Sequence, residues 1–323
     1  MKPAKSFAVM SVLCAAALPI LSSAQDYPSR PILLMVPATP GTQMDVLARL
    51  LGPRISQHWN VPVIVDNKTG ASGIIGIDAV AKADPDGYTF LFTGGAFTTL
   101  AASNSKLPYD PINSFVRVSQ LGTTFMTLVV NSKFPANNVR EFVDQVKKQP
   151  GVFNYASPGV GTLHHLTMEL FKQETGINLV HVPYKGLSVA LSDIVAGHIQ
   201  AATIPLPTAV PFVKSGKMRM LTVLGPERAP QLPQVPTMAE AGFANIVVPV
   251  WYGVLAPAGT PPAVIAKVNA EFNDLLALPD VKEVMGRLGV SPVGGNPEKL
   301  DALVRSEIRL WAQVIKRGNI VVE

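Results

Sequence analysis

The sequence predicts an α/β fold, and three observations carry that expectation. Six short apolar or β-branched runs recur along the chain, helix-period stripes fall between them, and glycine and proline mark the turns from one to the other. The runs are PILLMVPA (31–38), VPVIVDN (61–67), YTFLFTG (88–94), MTLVVNS (126–132), INLVHVPY (177–184) and RMLTVLG (219–225). Runs of this length suit strands buried on both faces of a parallel sheet. After Gly161, residues Leu163, Leu166, Leu170 and Phe171 fall at i, i+3, i+7 and i+8 and form one apolar stripe. Val264, Val268, Phe272 and Leu275 repeat the pattern after Thr260-Pro261, where a cap residue precedes a proline suited to a first turn. Alternation of this kind places ligand sites at the carboxyl ends of the strands.

The N-terminus reads as an address. Lys2 and Lys5 precede an apolar run from Phe7 to Leu21, shorter than a membrane span of about 20 residues. The run ends in Ser22-Ser23-Ala24, a small-x-small pattern, so residues 1–24 are expected to be a signal peptide cleaved near Ala24. Cys14 is the only cysteine and lies inside that peptide. A mature chain without cysteine has no disulfides and is held by its core. Removing two lysines takes the formal charge from +5 to 5 − 2 = +3. With charged residues at 15% and no basic run interleaved with aromatics, nucleic-acid binding has no footprint. A mild positive balance fits an anionic small molecule.

Proline and glycine are informative by position. Pro37, Pro40, Gly41, Gly94, Gly95, Pro158, Gly159, Gly161, Pro183 and Gly186 follow strands and precede helices. Such turns expose backbone N–H groups beside the positive end of a helix dipole, a site for a carboxylate. Glycine also serves plain tight turns, but four such turns on strand ends can converge on one cleft. Signatures of catalysis are missing: there is no G-x-S-x-G, no H-E-x-x-H and no P-loop, and GVGTLH lacks the third glycine of a dinucleotide fingerprint. An exported α/β enzyme acting on a small organic acid is the alternative class. No catalytic residue, metal site or cofactor is expected.

Several segments together resemble one family. YPSRPILLMVPATPGTQMDVLARLL, VIVDNKTGASGIIGIDAVAKADPDGYTFLF, YASPGVGTLHHLTMELFKQETGINLVHVPYKG, VPTMAEAGF with VWYGVLAPAGTPPAVIAKVNAEF, and GVSPVGGNPEKL are similar, in order, to the Bug-type receptors of tripartite tricarboxylate transporters. The resemblance spans essentially the whole mature chain. It implies a type II periplasmic-binding-protein fold, two lobes with a ligand cleft between them. Lobe one would comprise residues 25–125 and 245–323, and lobe two 126–244. It further implies a periplasmic, monomeric solute-binding protein for a small carboxylate-bearing ligand, working with a two-component membrane permease in some members, or sensing.

The resemblance and the turn chemistry together nominate site residues. Thr39, Gly41 and Thr42 stand in the first loop, where Thr42-Gln43 replaces the family's usual glycines. Thr42 and Asp45 have capping-box spacing, and Asp45 is read as shaping the loop, since a carboxylate repels an anionic ligand. Thr93, Gly94 and Gly95 fall where the family has a second ligand loop. Ser157, Gly161 and Thr162 form a third, with Thr162 also fit to cap the following helix. His165 matches a family histidine. Its helical spacing sets it opposite the leucine stripe, so a solvated surface position is expected, with loop support as the alternative. Tyr184 and Gly186 form a fourth loop, beside Lys185, which is read as solvated. Pro205 follows Thr203-Ile204, where amino-acid receptors of the family carry an acidic residue. None is present here, which argues against an amino-acid ligand. With no arginine in the four loops, the anion is expected to be met by N–H groups at the helices opening after Thr42 and Thr162.

Overall fold

Residues 27–322 are described by the computed structural model; the expected signal peptide lies outside them. The strands form where β-branched and aromatic residues cluster, and helices bridge them. In chain order the first half gives β1 (Ile32–Val36), α1 (Gln43–Trp59), β2 (Val63–Asn67), α2 (Ile74–Ala81), β3 (Thr89–Gly94), α3 (Ala96–Ser103), β4 (Phe115–Asn131) and α4 (Val139–Lys148). Next come β5 (Asn154–Ser157), α5 (Leu163–Thr175), β6 (Val180–Pro183), α6 (Leu187–Ala196), β7 (Ala201–Pro205), α7 (Leu206–Lys214) and β8 (Met218–Val223). The return segment holds β9 (Pro249–Pro257), α8 (Pro262–Ala277), α9 (Pro279–Arg287), β10 (Ser291–Pro292) and α10 (Pro297–Gly318).

The strands pair in the order β2-β1-β3-β9-β4-β7-β5-β6, with β8 and β10 also on β4. The sheet is mixed, which corrects the parallel expectation. β1 is parallel to β2 and β3, and β5 to β6 and β7, as helical crossovers require. β9 runs antiparallel to β3 and β4, and β4 antiparallel to β7 and β8.

β4 is 17 residues long and joins two halves. Its first part pairs with β9 and its last part with β7 and β8. The chain returns beside it: Leu224 N–H donates to Met126 O (2.8 Å), and Met126 N–H donates to Val248 O (3.0 Å). Only 126–132 of this strand is expected from sequence. The start is masked by buried polar residues, Arg117 and Ser119. Arg117 donates there from its two terminal nitrogens to the carbonyls of Phe115 and Pro111 at 3.2 and 3.0 Å. β5, β7 and β9 are likewise absent from the expected strands, although β9 carries the apolar run PVWYGVLAP.

The helix stripes are confirmed. Leu163, Leu166, Leu170 and Phe171 are buried, as are Val268, Phe272 and Leu275. Thr260 is not the cap of α8: its hydroxyl donates to Pro257 O (2.8 Å), and Pro261 holds the N-cap position. One cluster joins Leu47, Leu51, Phe90 and Phe92 to Phe142, Phe171 and Trp311. A second, with Ile194, Ile204 and Met220, lies in the β5–β8 half. A third gathers Phe97, Trp251 and Leu300 beneath the cleft. Truncating a fully buried leucine such as Leu166 to alanine would cost about 2–5 kcal/mol.

Candidate functional site

A cavity of about 550 Å³ lies between the two halves of the sheet. One wall is Ala71–Ile74, the β3–α3 turn at Gly94–Ala96, the α3 face from Thr99 to Asn104, and Val250–Tyr252 of β9. The other is the turn from Pro158 through His164, with Pro205, and Val322 reaches in from the C-terminal segment. The walls nearly touch. A Cβ placed on Gly95 would stand 3.3 Å from Leu163 Cδ2, and one on Gly161 would stand 3.4 Å from Ser103 Oγ and 3.1 Å from Val322 Cγ1.

Two helices open onto this space from opposite walls, α3 at Ala96 and α5 at Leu163. The first N–H groups of a helix have no intrahelical acceptor and carry the positive end of its dipole. On α5, the Thr162 hydroxyl accepts from His165 N–H at 3.4 Å, which leaves the Leu163 and His164 amides of the first turn for another acceptor. On α3 no side chain caps the first turn. Among the described residues no lysine, arginine, aspartate or glutamate lines the cavity. Its side-chain polar groups are neutral: Ser72, Thr99, Ser103, Asn104, Thr162 and His164. Much of the remainder is apolar, with Met44, Ile74, Leu100, Leu163, Val250 and Trp251. The arrangement can hold an anion by backbone amides and hydroxyls and cover an apolar body.

Of the residues expected at the site, Gly94, Gly95, Gly161, Thr162 and Pro205 line the cavity. Thr39, Gly41, Thr42, Thr93, Ser157, Tyr184 and Gly186 do not. The α1 capping box is not formed: the Thr42 hydroxyl turns back to donate to Thr39 O (3.0 Å). Asp45 closes that loop instead, accepting from Gly41 N–H (2.8 Å) and Arg49 Nε (2.9 Å). Burial alone would raise its pKa, but hydrogen bonds from Gly41, Asn67 and Arg49 and the Arg49 charge hold it below the usual carboxylate value.

Thr93 is 1% exposed within the sheet, where β3 pairs with β9. Ser157 Oγ is tied to Gly159 N (3.2 Å), Gly159 O (3.0 Å) and His181 Nε2 (2.7 Å). Tyr184 Oη donates to Asp193 Oδ2 (2.6 Å), which anchors it to α6. Gly186, at φ +139°, faces open space.

His165 corrects the surface expectation. It is 4% exposed, stacked on His181 with ring centroids 4.0 Å apart, and its Nδ1 accepts from Gly161 N–H at 3.1 Å. The Gly161 amide is therefore occupied within the protein, and the free donors lie at the next residues of the turn.

Sequence reasoning missed the α3 face from Thr99 to Asn104, Val250–Tyr252 and His164 as parts of the lining. The His164 Nε2 is shut from solvent and has no partner. Desolvation pushes its pKa down to about 4, so the ring is neutral at neutral pH. Behind the cavity, the 4%-exposed Glu307 accepts from Trp251 Nε1 (2.8 Å) and Thr98 Oγ1 (2.7 Å) through one oxygen. Burial outweighs these bonds and pushes its pKa up to about 7. An apolar run ending in two aromatics was the available signal for β9; α3 offered only its glycines.

A mixed α/β sheet split about β4, with an anion-holding cleft between its halves, defines a ligand receptor of the type II periplasmic-binding-protein class. Solved periplasmic binding proteins match it along nearly the whole chain. Rpa4515 of R. palustris, solved with adipate, is 32% identical, with TM-score 0.81, covering 92% of this chain and 99% of its own. MatC (Rpa3494) of Rhodopseudomonas palustris, solved with bound malate, is 30% identical, with TM-score 0.77, covering 90% and 100%. BugT of Bordetella pertussis is 36% identical over 297 residues, 91% of each chain. The profile of the tripartite tricarboxylate transporter family receptor matches residues 47–320, and the chain belongs to that family. Among the described residues no helix is long and apolar enough to cross a membrane.

Proposed function

We propose that this protein is a periplasmic receptor that captures a small carboxylate with an apolar body and performs no chemistry on it. The observation that carries this reading is a cavity with two opposed helix N-termini and, among the described residues, no charged side chain. Adipate, bound in Rpa4515, is an acid of that kind. A hydrogen bond to a charged group contributes on the order of 1.5–3 kcal/mol, so a few amides and hydroxyls suffice for micromolar capture.

The receptor is a monomer of two lobes, residues 25–125 with 245–323 and residues 126–244. The change of partners along β4 and the pairing of Met126 with the returning chain support that division. Residues 1–24 export it, and a two-component permease takes the ligand from the closed form. The enzyme alternative is disfavoured by the one close serine–histidine pair near the cleft. Ser157 Oγ is bonded to its own loop, and neither Ser157 nor His181 lines the cavity.

The test is thermal unfolding of the mature protein against mono-, di- and tricarboxylic acids, adipate and malate included. A ligand at a hundredfold its Kd adds about 2.7 kcal/mol to stability. The expected outcome is a saturable rise in Tm with at least one acid, recovered chemically unaltered. Conversion of that acid by the protein would overturn the receptor reading.

A further inference from the structure

We infer that the stacked imidazoles of His165 and His181 are positioning residues for the cleft turn 157–162, and that they make its shape, and ligand capture with it, sensitive to acid. The ligand arm of this inference rests on the receptor reading; the turn itself does not.

The two rings are 4.0 Å apart and 17° from parallel, and Tyr155 continues the stack at 4.9 Å from His181. Each ring holds one end of the turn. His165 Nδ1 accepts from Gly161 N–H, and His181 Nε2 bonds Ser157 Oγ, which in turn accepts from Gly159 N–H. An imidazole that accepts at Nδ1 carries its proton on Nε2 and is neutral. Gly161 needs that restraint, because it sits at φ +76° with Val322 and Ser103 close by.

A second proton on His165 would place N–H against N–H at Gly161, and charging both rings would set two cations face to face. The groups around them do not relieve this. Tyr155, from β5, gives its hydroxyl to Glu169, and Lys172 binds the same Glu169 oxygen at 2.7 Å. Glu169 is thus already answered by a hydroxyl and a cation. Burial first, then the neighbouring imidazole, pushes His181 down to about 4, and burial lowers His165 as well, so both rings are neutral at neutral pH. Acidification protonates them, sets the two cations against each other, releases Gly161, and lets the α5 turn lose its fixed amides.

Asparagine carries an oxygen near the place of imidazole Nδ1, and glutamine near that of Nε2, and neither takes up a proton in this range. The experiment uses the mature protein and the variant His165→Asn/His181→Gln, with adipate as probe, at pH 7.5 and pH 4. Protonation of adipate affects both proteins equally and cancels in the comparison. Wild type is expected to lose about threefold more affinity than the variant between the two pH values, consistent with titration near 4. In ligand-free wild type, NMR should show the His165 and His181 rings titrating together with loss of Gly161 amide protection from exchange. Equal affinity losses, or rings that titrate while the Gly161 amide stays protected, would overturn the inference. If adipate does not bind at pH 7.5, the choice of ligand is at fault, and the ligand-free titration still decides. If the double variant does not fold, His181→Gln alone with the wild-type titration decides.

Discussion

The most quantitative expectation concerns Glu307. This carboxyl is enclosed between α10, α3 and β9, with Oε2 accepting two hydrogen bonds and Oε1 unpartnered. Raising its pKa from 4.5 to about 7 corresponds to about 3 kcal/mol of preference for the neutral form. The sign follows from proton linkage. Between those two values the native state binds more protons than the unfolded chain, so stability falls as pH rises, and the loss is complete above the folded value. Glu307→Gln removes the titration while keeping an acceptor for Trp251 and Thr98. Its amide group, buried without a partner, costs roughly 1–3 kcal/mol, but at every pH alike. The difference between variant and wild type should therefore move by about 3 kcal/mol in the variant's favour from pH 4.5 to pH 8.5. The buried histidines titrate in the acidic part of this range, but equally in both proteins, and drop out of the comparison. Urea unfolding of both proteins at the two pH values measures it. A variant-to-wild-type difference that stays constant with pH would refute the buried neutral carboxyl.

Two substitutions separate the cavity from its surroundings. Gly161→Val forces a β-branched residue to φ +76° against Val322, at a strain of about 1–3 kcal/mol. It should cost at least about tenfold in adipate affinity by calorimetry, and unchanged affinity would remove this turn from the site. Tyr184→Phe loses the bond to Asp193, worth about 1 kcal/mol of stability, and should leave affinity within about twofold. A larger loss would return Tyr184 to the cleft.

The fold class was legible because periodicity survives wherever one face is buried. The helix stripes of α5 and α8 sit where that period puts them. β4 was half legible, since its first part buries Arg117, Ser119 and Gln120, polar residues that no local strand pattern places inside. His165 failed for a related reason. A helical wheel assumes one wet face, but nine of the thirteen α5 residues are buried, His165 and Glu169 among them. The helix lies against β7 on one side, where Thr203 Oγ1 donates to His164 O, and against α10 on another, where Gln173 donates to Val314 O. A polar residue facing away from the leucines then meets protein and not water, and it is retained because it has a partner.

The two helix starts after β1 and β3 show what sequence can and cannot say about a helix N-terminus. Thr42 through Asp45 carries a residue fit to cap and an acid that was read as shaping the loop. Those are the features that close such a site. Asp45 places its own carboxylate on Gly41 N–H and against the start of α1, so the positive end of that dipole is already answered. α3 opens with Gly95-Ala96-Phe97, whose side chains offer no acceptor, and the Thr98 hydroxyl donates to Gly95 O and to Glu307 without capping the turn. Its first amides keep their demand for an acceptor, and Gly95 and Ala96 line the cavity. A helix start that lacks a capping side chain costs stability on its own account, and one that opens onto a cleft is stabilised when an anion arrives from outside. Under the proposed function, the uncapped start GGAFTT suits an incoming anion better than the start after Thr42 does.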